Sequence, residues 1–328
     1  MTREDAGARR LRTLLEERDH VAAPGCATAL EAMMAAETGN DAIYMSGAAT
    51  NLVQYGWFDG RIGLAEMAEN AKRLARATDL PVIADADTGY GGVHNVRRTI
   101  REYHRAGVAA VQLEDQRWPK RCGHAAGKEV VPRADAAAKI EAAVDVREAE
   151  DRDIMVVART DAYGAANGDW EEHVARGRLF ADLGADLIMP EMPGPSREDA
   201  FRYAEAVHET HPDARFLWNY SSNFDWRDQS EPLTFDELAD HGYQVSIVSL
   251  FGLQTAALAL HDRMADLARS GAPAQWRLED DWAVHDYVDR ASDLLFDLGE
   301  FEEYQALEER YLDDAAARYR DSSGRGAE

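Results

Sequence analysis

Short apolar runs rich in β-branched residues alternate along this chain with longer amphipathic stretches. The runs are HVAAPG (20–25), DAIYMSG (41–47), PVIADAD (81–87), AAVQLED (109–115), DIMVVARTDA (153–162), DLIMPEM (186–192), RFLWNY (215–220) and QVSIVSL (244–250), eight in all. Near-continuous hydrophobicity over so few residues is what a parallel strand needs when both its faces are buried. The stretches between them carry helix punctuation. Residues 93–106 run into Gly107 and residues 169–183 into Gly184, each glycine placed for a left-handed cap. Ser196 and Thr234 sit at N-cap positions, and Thr234 with Glu237 fits a capping box.

Eight strands, each followed by a helix or loop, predict an α/β fold of the (β/α)8 barrel type. The competing doubly wound sheet would place a glycine-rich phosphate turn after an early strand. DTGYGG (87–92) is the only candidate, and it does not fit G-x-G-x-x-G. The first twenty residues alternate charge with a leucine stripe and predict an extra N-terminal helix. The barrel with that helix is expected over 1–268, and a helical C-terminal extension over 269–328, of the kind that packs on a neighbouring subunit or covers the barrel. The last eight residues, DSSGRGAE, are expected to fray.

Composition narrows the function classes. With 45% hydrophobic and 30% charged residues among 328, the chain reads as soluble and globular. No apolar run approaches the roughly 20 residues of a membrane span, and the N-terminus lacks the apolar core of a signal peptide, so a cytoplasmic location is expected. A formal charge of −25 would repel a phosphate backbone, which argues against a nucleic-acid partner. There are only four lysines, Lys72, Lys120, Lys128 and Lys139, so arginine supplies most of the positive charge. An acidic, lysine-poor surface suits high internal salt, where screening relieves self-repulsion; an ordinary acidic mesophile protein is the alternative. Cys26 and Cys122, the only cysteines, form neither a metal-ligand spacing nor a disulfide framework, and Cys26 reads as a packing residue.

A barrel's active site lies at the C-terminal ends of its strands, and polar residues gather there. Strand two ends in Tyr44, Ser46 and Gly47, strand three in Asp85 and Asp87, and strand four in Glu114 and Asp115. Strand five ends in Arg159, Thr160 and Asp161, strand six in Glu191, strand seven in Asn219 and Ser221, and strand eight in Ser249. Strand alternation puts Asp85 and Asp87 on one face, where with Glu114 they would form a three-carboxylate cluster. A hard divalent cation would relieve their repulsion; the plainer reading is that they cap loops or pair with arginine. Arg159 is either a fork for a substrate carboxylate or the partner of one of these acids. Asn219 and Ser221 are placed to bind a second carboxylate or merely to form a turn.

The stretch KRCGH (120–124) follows strand four by a few residues, where a loop can fold over the barrel mouth. Cations on both sides raise the thiolate fraction of a cysteine and fit it as proton carrier or nucleophile, against the reading of an exposed bystander. Gly123 permits a tight backbone approach, and Gly127 a hinge.

The combination PVIADADTGYGG, VQLEDQRWPKRCGH, GKEVVP, VVARTDAY and WNYSSNFDW resembles the isocitrate lyase family of the phosphoenolpyruvate mutase/isocitrate lyase superfamily, from about Pro24 to Gly252. That resemblance implies a retro-aldol cleavage of isocitrate to glyoxylate and succinate, assisted by Mg2+, with Mn2+ as the substitute. It implies Asp87 as the principal carboxylate near the metal, with Asp85 and Glu114 acting largely through its waters. Ser46 and Gly47 would hold the glyoxylate end, with Asp85 beside it, and Arg159 its carboxylate. Gly123 and His124 would meet the substrate as the loop closes, and Asn219, Ser221, Asn223 and Ser249 would bind the succinate end. Cys122 would protonate the succinate carbanion as general acid, with Lys120 and His124 counted in the catalytic group. Tyr44, Glu191 or a metal-bound hydroxide would be the base. A homotetramer that exchanges C-terminal helices is implied as well.

Two departures touch the pocket. Ala48 stands where isocitrate lyases usually carry tryptophan, and Ser222-Asn223 replaces Pro-Ser. The related 2-methylisocitrate lyases share KRCGH and the compact length but not the N-x-S-x-x-F-x-W segment, so isocitrate is the expected substrate and 2-methylisocitrate the alternative. A phosphoenolpyruvate mutase-type enzyme would lack the loop cysteine, and a catalytically silent barrel would have lost part of the constellation.

Overall fold

The computed structural model describes residues 3–123, 125–221, 223–229, 231–284 and 294–312. His124 and the tail expected to fray at 321–328 lie outside the described residues. Eight parallel strands close into a barrel in sequence order. They are β1 (Val21–Cys26), β2 (Ile43–Met45), β3 (Val82–Asp85), β4 (Ala110–Glu114), β5 (Met155–Thr160), β6 (Leu187–Pro190), β7 (Phe216–Asn219) and β8 (Tyr243–Val248). Each overlaps one of the eight apolar runs. Closure is made by β1 pairing with β8, Val21 opposite Val245 and Pro24 opposite Val248.

Helix α1 (Ala6–Glu17) precedes the barrel, and α2 (Ala29–Glu37) follows β1. Two helices, α3 (Gly47–Tyr55) and α4 (Leu64–Ala77), follow β2. The remaining crossovers are α5 (Val93–Ala106), α6 (Arg133–Ala149), α7 (Trp170–Asp182), α8 (Arg197–His208) and α9 (Phe235–Ala239), with α10 (Phe251–Ser270) after β8. The punctuation acts as its chemistry demands. Gly107 closes α5 at φ 87°, a left-handed conformation costly for any residue with a Cβ. Thr234 accepts from the Glu237 N–H while the Glu237 carboxylate accepts from the Thr234 N–H.

Strand alternation sorts the core into two layers. Tyr44, Ile83, Val157, Met189, Leu217 and Val245 fill the barrel interior, while Ile43, Met45, Val82 and Val156 pack outward against the helices. Leu11 and Leu15 of α1 join the interior cluster with Val21 and Ala109, so this helix plugs the N-terminal end of the barrel. Each buried leucine stabilises that closure by about 1.5–3 kcal/mol. The opposite end is left for polar side chains.

The chain divides into two compact units, 1–256 and 257–328, the division falling within α10. The second unit continues with α11 (Pro273–Trp282), α12 (Leu294–Leu298) and α13 (Phe301–Tyr311). Within it Leu258, Met264, Leu267 and Trp276 are exposed. Among the described residues no helix is long and apolar enough to cross a membrane.

One core residue makes a stability prediction. His173 on α7 is fully buried beside Tyr203, and neither ring nitrogen has a hydrogen-bond partner among the described residues. Burial pushes its imidazole down to about 3, against the pull of Asp161. The folded pKa lies below the unfolded one, so the unfolded chain takes up the proton first and stability falls as pH drops from about 6.5 towards 3. His173→Phe is expected to remove that slope. Urea unfolding at pH 7 and 4.5 should show a loss on acidification about 2–3 kcal/mol smaller than in the parent; an unchanged loss would refute the assignment.

Candidate active site

Tyr44, Ser46, Asp85, Glu114, Lys120, Cys122, Gly123, Arg159, Asn219, Ser221, Asn223 and Ser249 line one cavity at the C-terminal mouth of the barrel. Its volume is about 50 Å3. Gly47, Asp87 and Glu191 stand directly behind this lining. The Gly47 N–H donates to Asp85 Oδ2 at 3.2 Å, Asp87 pairs with Lys120, and Glu191 accepts from Asn219 Nδ2 at 3.1 and 3.2 Å. Every site residue singled out from sequence therefore converges here, except His124, which lies outside the described residues.

The acids meet by a different route from strand alternation. β3 ends at Asp85, and Asp87 sits beyond it in a left-handed conformation, φ 48°. That turn aims the Asp87 N–H at Asp85 Oδ1, 3.0 Å away, and Gln112 Nε2 reaches the same oxygen at 3.4 Å. Lys120 comes in from the loop after β4, its ammonium 2.5 Å from Asp87 Oδ1 and 3.0 Å from Asp59 Oδ2. Burial pushes Asp87 up to about 7 despite the Lys120 charge, with Asp85 and Asp59 adding to the rise. Burial alone would lower the Lys120 ammonium, but Asp87, Glu114, Asp59 and Asp85 outweigh it and raise it well above the ordinary value. Lys120 stays charged.

Asp87 Oδ2 and Glu114 Oε1 are buried carboxylate oxygens without a hydrogen-bond partner among the described residues. Such oxygens suit a hard cation. No group of three or more acidic, histidine or cysteine side chains among the described residues is gathered tightly enough to hold an ion by itself. The donor set therefore fits a cation that keeps several waters, as magnesium does, better than one needing a full protein cage.

Arg159 ends β5 only 7% exposed. Its Nε and Nη2 donate to the two oxygens of Asp161 at 2.8 and 3.0 Å, with Glu191 at 3.3 Å and Glu114 at 3.5 Å. The fork and the ion-pair partner are thus the same side chain: a guanidinium oriented by Asp161 whose remaining surface faces the cavity. Burial works against ionising Asp161, yet Arg159 and Lys128 hold its carboxyl well below the usual range. Tyr44 Oη donates to Gln112 Oε1 at 2.9 Å. Burial, then Asp85, raises its phenol well above the ordinary value, so it stays protonated at neutral pH.

Cys122 and Cys26 part as their neighbours suggest. Cys26 is 2% exposed, and burial pushes its thiol up to about 12. Cys122 is partly exposed at the cavity and receives Asn223 Nδ2 at 3.7 Å. Beside it, a Cβ on Gly123 would lie 2.3 Å from Arg159 Nη2, so the backbone approaches the guanidinium as closely as only glycine allows. Gly123→Ala must displace the loop or Arg159. Turnover is expected to fall about 100-fold, the scale on which a misplacement near 1 Å acts, with the melting temperature little changed; steady-state rates with thermal denaturation check it, and parent-like kcat would refute the contact.

Asp59, Asp161 and Gln112 belong to the site without having been assigned a role from sequence. Asp59 lies in the loop before α4, where no periodicity marks it, and its partner Lys120 comes from a different crossover.

Comparison with known proteins fits this geometry. Residues 11–269 match the phosphoenolpyruvate phosphomutase family. The chain is 51% identical to isocitrate lyase of Haloferax volcanii, over 97% of this chain and 90% of that protein. It is 36% identical to 2-methylisocitrate lyase of Bacillus subtilis, over 92% of each chain. Among solved structures, 2,3-dimethylmalate lyase, described as a PEP mutase/isocitrate lyase superfamily member, superposes with TM-score 0.80 at 33% identity, covering 97% of this chain and 98% of that one. A (β/α)8 barrel with an acidic, arginine-bearing mouth is therefore joined to lyase relatives across its length. The chain belongs to the phosphoenolpyruvate mutase/isocitrate lyase superfamily and is a carbon–carbon lyase.

Proposed function

We propose that this enzyme is an isocitrate lyase that splits isocitrate into glyoxylate and succinate, with Mg2+, or Mn2+ in its place, bound at Asp87 and, through waters, at Asp85 and Glu114. The observation that carries the chemistry is the partly exposed Cys122 thiol on the same small cavity as Arg159 and the acidic cluster. The choice of substrate is supported by the 51% identity to a protein of that activity, against 36% to a 2-methylisocitrate lyase.

Loss of the C2 hydroxyl proton to a base lets the oxygen's electron pair form the aldehyde C=O of glyoxylate, while the C2–C3 bond breaks and its pair stays on C3 of the succinate fragment as a carbanion. The Cys122 thiol delivers its proton to that carbon, and the proton held by the base returns to the thiolate to reset the site. A bound divalent cation would stabilise negative charge on the substrate oxygens. Arg159 holds the glyoxylate carboxylate beside Ser46 and Gly47; Asn219, Ser221, Asn223 and Ser249 take the succinate end. Tyr44, being protonated, serves as a hydrogen-bonding group, which leaves Glu191 as the base on the protein. His124 would meet the substrate from the same loop as Cys122. The C-terminal unit, with its exposed apolar side chains, would pack on neighbouring copies in a homotetramer, in the cytoplasm of a salt-rich cell.

A second reading, 2-methylisocitrate lyase, draws on Ala48, whose small side chain lines the cavity. Glyoxylate and pyruvate release from the two substrates, measured side by side with Mg2+ at low and high potassium chloride, separates them. At least tenfold higher kcat/KM for isocitrate, rising with salt, is expected. Preference for 2-methylisocitrate would establish the second reading, and no turnover of either would overturn both.

A further inference from the structure

Lys128 has no part in the roles assigned above. It follows Gly127 at the exit of the cysteine loop and is only 3% exposed. Its ammonium donates to the carbonyl of Gly123 at 2.6 Å and to Asp161 Oδ1 at 2.8 Å. Asp161 in turn grips Arg159 through both carboxylate oxygens. One buried cation thus joins the backbone next to the thiol to the carboxylate that orients the guanidinium.

The surroundings are shaped around this lysine. Its own carbonyl accepts from the Ala166 N–H at 2.8 Å, and the Asn167 side chain exchanges two hydrogen bonds with the Val130 backbone, each 2.9 Å. A Cβ on Gly164 would fall 3.0 Å from Lys128 Cε, so the turn after β5 leaves room for the lysine stem and no more. A buried ammonium costs several kcal/mol unless it is paired and fully hydrogen-bonded. Here the partners that offset that cost are the loop carbonyl and Asp161.

Ties to backbone carbonyls hold the rest of the loop's C-terminal side, Arg121 Nη1 donating to the Ala126 carbonyl at 3.1 Å and the Arg117 N–H to the Glu129 carbonyl at 2.8 Å. Further ties lie on its N-terminal side. Gln116 exchanges two 3.0 Å hydrogen bonds with the Arg121 backbone, and Lys120 is held by Asp59 and Asp87. Lys128 is the buried side chain beyond Cys122 that contacts both the backbone next to the thiol and Asp161. We infer that Lys128 is a positioning residue that latches the Cys122 loop onto the Asp161–Arg159 pair, so that one cation sets thiol and guanidinium together. This rests on the roles proposed for Cys122 and Arg159, but the latch itself is testable without turnover.

The test is alkylation of the free enzyme by iodoacetamide, with mass spectrometry following Cys122 and, as an internal control, the buried Cys26. Lys128→Met keeps the stem and removes the ammonium. Gly164→Ala keeps the charge and crowds the ammonium by a few tenths of an ångström, so it preserves the fold where loss of the charge does not. The expected result is at least tenfold faster labelling of Cys122 in Lys128→Met and two- to threefold in Gly164→Ala, with Cys26 unchanged. Both variants should lose kcat more than they raise KM. Cys122 labelling at the parent rate in the folded variants, or a parallel rise at Cys26, overturns the latch; if Lys128→Met does not fold, Gly164→Ala decides by the same criterion. Absence of lyase activity in the parent would instead overturn the functional reading and leave the labelling result standing.

Discussion

Cys122→Ala is expected to lower kcat by about 10²–10⁴-fold, the range over which a positioned proton donor contributes, while KM moves only a few-fold. The thiol is partly exposed at the cavity wall and is not part of the buried core, so the fold loses little. Stability should stay within about 0.5 kcal/mol, as for other partly exposed substitutions. Glyoxylate release measures the loss, and solvent-deuterium exchange at the succinate methylene locates it. If Cys122 transfers the proton at carbon, the parent catalyses that exchange and the variant does not. A variant keeping more than a third of parental kcat would remove Cys122 from the chemistry.

Asp87→Asn is expected to be nearly as severe. Asparagine tolerates the left-handed φ of 48° and matches the volume, so the turn after β3 survives. The charge facing Lys120 does not, nor does the partnerless Oδ2 that suits a cation. Several kcal/mol of transition-state stabilisation should go with them, a fall of about 10³-fold. Chelation with EDTA should silence the parent, and added Mg2+ or Mn2+ should restore it; the variant should not respond to either cation. Full activity of the chelated parent would sink the metal assignment, and activity above a tenth in the variant would remove Asp87 from it.

The barrel was legible because burial on both faces leaves an unmistakable mark. Val156 and Val157 must both be apolar, one facing helices and the other the barrel interior, and that pairing recurs on strand after strand. Gly107 and Thr234 marked their helix ends because each does local work that few other side chains can do. The site was legible as a gathering of strand-end residues, less so as a geometry. Asp87 reaches Asp85 through a left-handed turn and not through alternation, a distinction that local pattern does not carry. Arg159 offered two readings that the fold merges, because Asp161 two residues on curls back to hold it. Asp59 was invisible, since only the closed barrel brings the loop after β2 against the loop after β4.

The cavity of about 50 Å3 has a further consequence. About 10–15 Å3 of such space is enough for one water, so the mouth has room for a few waters that an entering ligand has to displace. Cys122 and Gly123, on the loop after β4, form part of its wall. With Cys122 in the role proposed for it, any widening of the mouth on that side would move the proton donor as well, which would couple entry to protonation through one stretch of chain. Where that coupling limits the rate, thickening the solvent should slow this enzyme by less than it slows a protein with an open pocket.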